Sequence, residues 1–123
     1  MDIYQDIIID HYKNPRNTKK IENPTNSAHV ENSTCGDSLD MSILIENKIV
    51  KDISFCGSSC AISIASASIL TDYAKGKNID EILNWNLDTI MQLIKIPLTP
   101  NRVKCALLCL EALHKTLSIE KNL

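Results

Sequence analysis

Hydrophobic positions change their period twice along this chain. Tyr4, Ile7, Ile8 and His11 recur at helical spacing, and Asn14-Pro15 ends that element because a residue before proline avoids the α region. A loop follows to about residue 27. From Ala28 the period becomes two: Leu39, Met41, Ile43 and Ile45 alternate with Asp40, Ser42 and Glu46, and after Asn47-Lys48 the pattern resumes at Ile49, Ile53 and Phe55. This predicts a hairpin with one buried face. A short strand near residues 28–32 adds a third member, since a lone two-stranded ribbon is marginal.

After Gly57 the helical period returns. Ser58 or Ser59 is the expected N-cap of a helix that carries Ile62, Ala65, Ser66, Ile69 and Tyr73 on one stripe and ends near Lys75-Gly76. Short helices are expected near residues 80–83 and 87–94. A longer one opens at Pro100, a residue suited to a first helical position. Strands grouped together and helices grouped together define the class as α+β: a small antiparallel sheet of about three strands with helices packed against one face.

Composition narrows the function classes. A chain of 123 residues with 44% hydrophobic and 23% charged content suits one globular domain spanning residues 1–123. The formal net charge is −2 and the basic residues are scattered apart from KNPRNTKK near the start, which disfavours nucleic acid as a partner. MDIYQDIIIDHYKN carries carboxylates where a secretory leader carries basic residues, and no apolar run reaches the roughly 18 residues that span a bilayer. A cytoplasmic location away from membranes is expected. Five cysteines, an odd number, fit reduced thiols better than a disulfide framework. Metal or thiol chemistry becomes the leading question.

The hairpin-to-helix junction places Cys60 in the first turn of a helix, where unpaired amides and the helix dipole favour a thiolate. Cys105 lies off the apolar stripe formed by Ala106, Leu107, Leu110, Leu113 and Leu117, with Arg102 and Lys104 near enough in sequence to favour a thiolate too. Cys109 leans toward that stripe and reads as packing. Cys56, out of phase with Ile53 and Phe55, reads as a small residue filling a gap. Thr34-Cys35-Gly36-Asp37 forms a turn entering the hairpin and supplies a further thiol and a carboxylate. Cys35, Cys60, Cys105 and Asp37 would together make a four-ligand set for a tetrahedral ion. Their wide spacing matches no local zinc-finger rule, so on spacing alone separate thiols are the better reading. A structural zinc site pairing Cys56 with Cys60 and Cys105 with Cys109 is also permitted.

Four ordered segments change that balance: DHYKNPRN at Asp10–Asn17, TCGD at Thr34–Asp37, GSSCAISIASAS at Gly57–Ser68 and RVKCALLCLEAL at Arg102–Leu113. Through them nearly the whole chain resembles the IscU/SufU family, the NifU-type amino-terminal scaffolds for iron-sulfur cluster assembly. The resemblance implies a short antiparallel sheet flanked by helices. It makes Cys35, Cys60 and Cys105 the ligands and sulfur acceptors, with Asp37 beside them; Cys56 and Cys109 match no family ligand. The implied activity is to accept sulfur from a cysteine desulfurase, assemble a [2Fe-2S] unit with iron and pass it to apo-proteins or carriers. Three soft thiolates with one harder, exchangeable carboxylate suit a site that must also let go.

Two features separate this chain from the IscU branch. Lys104 stands where that branch has histidine, and Ile96–Lys104 lacks a clean LPPVK motif, so a dedicated Hsp70 chaperone is not implied. CAISIASAS and RVKC look more like SufU, although the stretch between Cys60 and Cys105 leaves little room for the SufU insertion. Likeness to SufU implies an alternative, a sulfurtransferase holding Zn²⁺ through the same three cysteines and aspartate and stimulating its desulfurase. Arg102 is then expected to pair with Asp37 when no metal is bound. His11 reads as a satisfied, half-buried histidine, and His29 and His114 receive no role.

Overall fold

The computed structural model describes residues 3–32 and 36–121, with side chains described as far as residue 118. Helix α1 (Ile3–Lys13) precedes strands β1 (Asn26–Asn32), β2 (Asp37–Glu46) and β3 (Ile49–Ser58). Helices α2 (Ala61–Ala74), α3 (Ile79–Leu83), α4 (Leu87–Ile94) and α5 (Pro100–Lys121) follow. The sheet is antiparallel in the order β1-β2-β3, as the period-two pattern requires. Asn47 and Lys48 both take positive φ, 54° and 65°, the two-residue turn whose twist matches that of the strands it joins.

Leu39, Met41 and Ile43 of β2 and Val50, Ile53 and Phe55 of β3 form the sheet's contribution to the core. Val50, not the expected Ile49, is the buried member at the start of β3. The cause is a bulge: Leu44 faces Asp52 but Ile45 faces Val50, leaving Lys51 as the extra residue. One inserted residue reverses the in-out alternation, so Val50 and Ile53 reach the same face from an odd separation.

Helix α2 packs against α1, β3, α4 and α5, and α5 packs against β1, β2 and α2. Surrounded in this way, α2 has no single apolar stripe. Ser63, Ala65, Ser66, Ala67, Ser68, Leu70, Thr71 and Ala74 are all buried, while Tyr73, expected inside, is exposed and lies against Trp85 with ring centroids 5.2 Å apart. Small residues allow neighbours to approach on every side.

The DHYKNPRN segment fastens the end of α1 to α2. His11 Nδ1 lies 2.7 Å from Ser68 Oγ, and the Arg16 backbone N–H donates to the same oxygen at 2.9 Å. Asn17 donates to Thr71 Oγ1 at 3.0 Å, and Arg16 pairs with Asp10 at 2.6 Å. His11 is thus the satisfied, half-buried residue expected. Of the α1 stripe only Ile8 is buried; Tyr4 and Ile7 are exposed.

The outer edge of β3 is occupied at two points. Val50 exchanges backbone hydrogen bonds with Gly76 and Lys77, and Phe55 donates to the Asn17 carbonyl at 2.9 Å. At the other edge, Lys115 Nζ donates to the His29 carbonyl of β1. Among the described residues, no helix is long and apolar enough to cross a membrane.

Candidate metal centre

The start of β2 lies beside the end of β3, where Ser38 faces Ser58 and Leu39 faces Gly57. A side chain at Gly57 would collide with the Ser38 carbonyl, so glycine is what lets the strands close at this end. Gly36, with φ of +72°, turns the chain into β2 so that Asp37 is its first residue.

Two residues beyond β3, Cys60 is the N-cap of α2, one position before the first turn where it was expected. Neither Ser58 nor Ser59 caps the helix. The Ser59 hydroxyl instead donates back to the Ser38 carbonyl at 3.0 Å, and the Cys60 side chain makes no cap hydrogen bond. Asp37 takes over from another strand: its Oδ1 accepts the Cys60 backbone N–H at 3.1 Å. The carboxylate thereby satisfies one of the amides that a helix start leaves without an intrahelical partner.

Helix α5 completes the group with Cys105. The ligand atoms of Asp37, Cys60 and Cys105 all lie within 4.8 Å of one another. Sulfur and oxygen donors on a tetrahedral zinc ion stand roughly 3.3–3.8 Å apart, so a small inward closure brings the three onto one ion. Asp37 is 5% exposed and Cys105 7%, whereas Cys60 is open to solvent. The site has a dry inner wall and one accessible sulfur.

Its electrostatics differ from the expectation for Cys105. Burial, then the neighbouring Cys60 and Asp37, push the Cys105 thiol up to about 12. Arg102 and Lys104 are exposed and do not offset this. A position off the apolar stripe is accessible only when one side of a helix is covered; α5 is covered by both the sheet and α2, which widens its buried face to include Cys105. Arg102 also makes no ion pair with Asp37 among the described residues; the carboxylate is held by neutral donors. A cation is the charge this donor set lacks, and metal binding would displace the thiol protons.

Cys109 is fully buried, donates its S–H to the Ala106 carbonyl at 3.1 Å and is pushed by burial up to about 12, in keeping with a packing role. Cys56 fills no gap: it is exposed, directly across from Asp40. Neither joins the metal-ligating group, so the paired arrangement of Cys56 with Cys60 and Cys105 with Cys109 does not assemble. Cys35, two residues before Asp37, lies outside the described residues. His29 contacts Asp40 and Glu31, and His114 contacts the Ile82 carbonyl.

Sequence reasoning overlooked Ser63. Its hydroxyl lies 3.2 Å from Asp37 Oδ2, 3.0 Å from the Cys105 carbonyl oxygen and 3.7 Å from Cys60 Sγ. A serine one helical turn after a junction cysteine was the available signal, because positions i and i+3 share a face.

An antiparallel sheet with helices packed on it brings a carboxylate and two thiols from three elements to one point, an α+β architecture with a donor set of the kind that suits a thiophilic ion. Residues 3–121 match the family of the NifU-like N terminal domain, and the chain belongs to that family. It is 35% identical to the zinc-dependent sulfurtransferase SufU of Bacillus subtilis (strain 168), with 98% of this chain and 92% of that protein covered. It is 30% identical to the iron-sulfur cluster assembly scaffold protein IscU of Escherichia coli (strain K12), covering 97% and 94%. The structure of FiSufU from Fervidobacterium islandicum AW-1 matches with a TM-score of 0.78 at 27% identity, covering 94% of this chain and 96% of that one. An amino-terminal NifU-like protein of Brucella abortus shares the fold, with a TM-score of 0.77 at 20% identity and coverage of 98% and 96%.

Proposed function

We propose that this protein is a cytoplasmic scaffold for iron-sulfur cluster assembly. It accepts persulfide sulfur from a cysteine desulfurase, combines it with ferrous iron into a [2Fe-2S] unit on Cys35, Cys60, Cys105 and Asp37, the iron and an external thiol reductant supplying the electrons that turn sulfane sulfur into sulfide, and hands that cargo to apo-proteins or carriers. The observation that carries the reading is the meeting of Asp37, Cys60 and Cys105 within 4.8 Å, in a chain of this family. In the sulfur step a scaffold thiolate attacks the outer sulfur of the donor's persulfide. The donor's S–S bond breaks, its thiolate leaves, and a new S–S bond forms on the scaffold without net oxidation. The exposed Cys60 gives an incoming group access, and the buried Asp37 and Cys105 keep water from the inner side. Thiolates suit the cluster, and the harder carboxylate is the ligand that leaves most readily.

The test is anaerobic incubation with a desulfurase, cysteine, ferrous iron and a thiol reductant. Wild type is expected to gain iron and acid-labile sulfide. Cys35→Ser, Cys60→Ser and Cys105→Ser are expected to lose both, while Cys56→Ser and Cys109→Ser keep them. Equal loading of all five variants would sink the proposal.

The 35% identity to SufU favours a second reading, a zinc-dependent sulfurtransferase. The same thiols and carboxylate fit Zn²⁺, which when bound keeps its cysteines deprotonated at neutral pH. Its signature is tightly held zinc together with a desulfurase turnover that rises when this protein is added.

A further inference from the structure

The three elements of the site converge on one hydroxyl. Ser63 is wholly buried on α2, one turn after Cys60. Its single proton faces two acceptors, Asp37 Oδ2 at 3.2 Å and the Cys105 carbonyl at 3.0 Å, while its oxygen receives the Cys60 S–H at 3.7 Å. Asp37 arrives from β2, Cys60 from the start of α2 and Cys105 from α5.

Both oxygens of Asp37 are engaged, Oδ1 by the Cys60 amide and Oδ2 by the Ser63 proton, which it shares with the Cys105 carbonyl. Two donors fix the rotation of the carboxylate and leave each oxygen a lone pair for a further partner. The amide belongs to the backbone, so Ser63 supplies the side-chain half of this hold. Groups that orient a ligand in this way commonly govern metal affinity by about 10–100-fold.

We propose that Ser63 is a positioning residue of the metal centre: by holding the Asp37 carboxylate against the start of α2, together with the Cys60 amide, it aims the oxygen ligand before an ion arrives. The inference rests on the reading of Asp37, Cys60 and Cys105 as metal ligands. It assigns the tightness of capture to a residue that contributes no ligand itself.

Zinc alone, set in competition against a chromogenic chelator, tests it. The proteins compared are wild type, Ser63→Ala, Ser63→Thr, Asp37→Ala and the Ser63→Ala/Asp37→Ala double variant, each also melted in its metal-free form. Ser63→Ala is expected to weaken zinc binding about 10–100-fold while the metal-free protein stays folded with a lowered melting temperature, as a lost buried hydroxyl requires, and Ser63→Thr to recover most of the binding loss. In the Asp37→Ala background the same serine change is expected to matter by less than about 2-fold, because the group it orients is gone. The cobalt(II) absorption spectrum of Ser63→Ala should shift as oxygen coordination is lost. Binding of Ser63→Ala within 2-fold of wild type, an equal penalty with and without Asp37, or loss of the folded state would each overturn the assignment (thresholds approximate). Wild type that takes up no zinc would instead sink the ligand reading and this inference together.

Discussion

Helix α2 turns one hydroxyl at its start toward Asp37, Cys60 and Cys105, and two further along toward the segment that leaves α1. At the start, Ser63 bonds to a carboxylate and a thiol that an ion would claim. Further along, Ser68 and Thr71 hold His11, the Arg16 amide and the Asn17 side chain, none of which belongs to the Asp37, Cys60 and Cys105 group. All three hydroxyls are buried, so burial alone does not separate a site from a scaffold. The partners do. A hydroxyl given to fixed neutral donors adds to stability, and one given to ligating atoms holds them ready.

The comparison breaks most visibly at Ser68. Ser68→Ala strips His11 and the Arg16 amide of their shared partner and is expected to cost about 1–3 kcal/mol of folding stability in urea titration, with zinc affinity unchanged. A zinc penalty as large as that of Ser63→Ala would show that the two stretches are one unit.

A smaller effect depends on pH. Burial, reinforced by the Arg16 charge, lowers His11 below the ordinary imidazole value of 6.5. The folded protein therefore takes up the His11 proton less readily than the unfolded chain. Stability from this residue is full above about pH 6.5 and falls as pH drops toward the lower folded value. His29, raised by Glu31 and Asp40, acts in the opposite sense and loses its contribution as pH rises, so the test compares wild type with His11→Gln. The stability advantage of wild type should narrow between pH 8 and pH 5 (approximate limits). A constant difference would contradict the burial of His11.

The smallest effect sharpens the comparison from between the two stretches. Ser66 Oγ is buried on α2 and has no hydrogen-bond partner among the described residues. Serving neither neighbourhood, it is expendable: Ser66→Ala should stabilise the fold by about 0.5 kcal/mol, through helix propensity and removal of an unmatched hydroxyl. A drop in melting temperature would mean that its oxygen does have work at one end.

Much of the architecture could be read from residue pattern because each clear period belonged to an element with one covered side. β2 is an example: Leu39, Met41 and Ile43 alternate without interruption and are all buried. Where an element was covered on several sides the reading failed. The small residues of α2 conceal four neighbours, and Tyr73 was assigned inside because stripe logic supposes only one. The same error put Cys105 in an electropositive, accessible setting. The bulge at Lys51 was hidden too, since one added residue changes which positions are buried without changing composition.

The site itself was legible only through the four ordered segments. Spacing could place Cys60 at a junction but could not show that β2, α2 and α5 begin at a common point. Asp37 illustrates the gap: a carboxylate that caps a helix from a different strand leaves no local motif. Arg102, near in sequence to Cys105, was offered as its counter-charge, yet the hold on Asp37 comes from an amide and a hydroxyl.

The two contacts along the border of β3, at Val50 and at Phe55, carry a further consequence. A bare strand border is a template on which copies of a protein line up and polymerise. Here Gly76 and Lys77 pair with Val50, and the Asn17 carbonyl accepts from Phe55, so two stretches of the β3 border are already taken and an incoming strand meets an interrupted ladder there. On that border the protein's own turn and loop stand where the strand of another copy would otherwise pair.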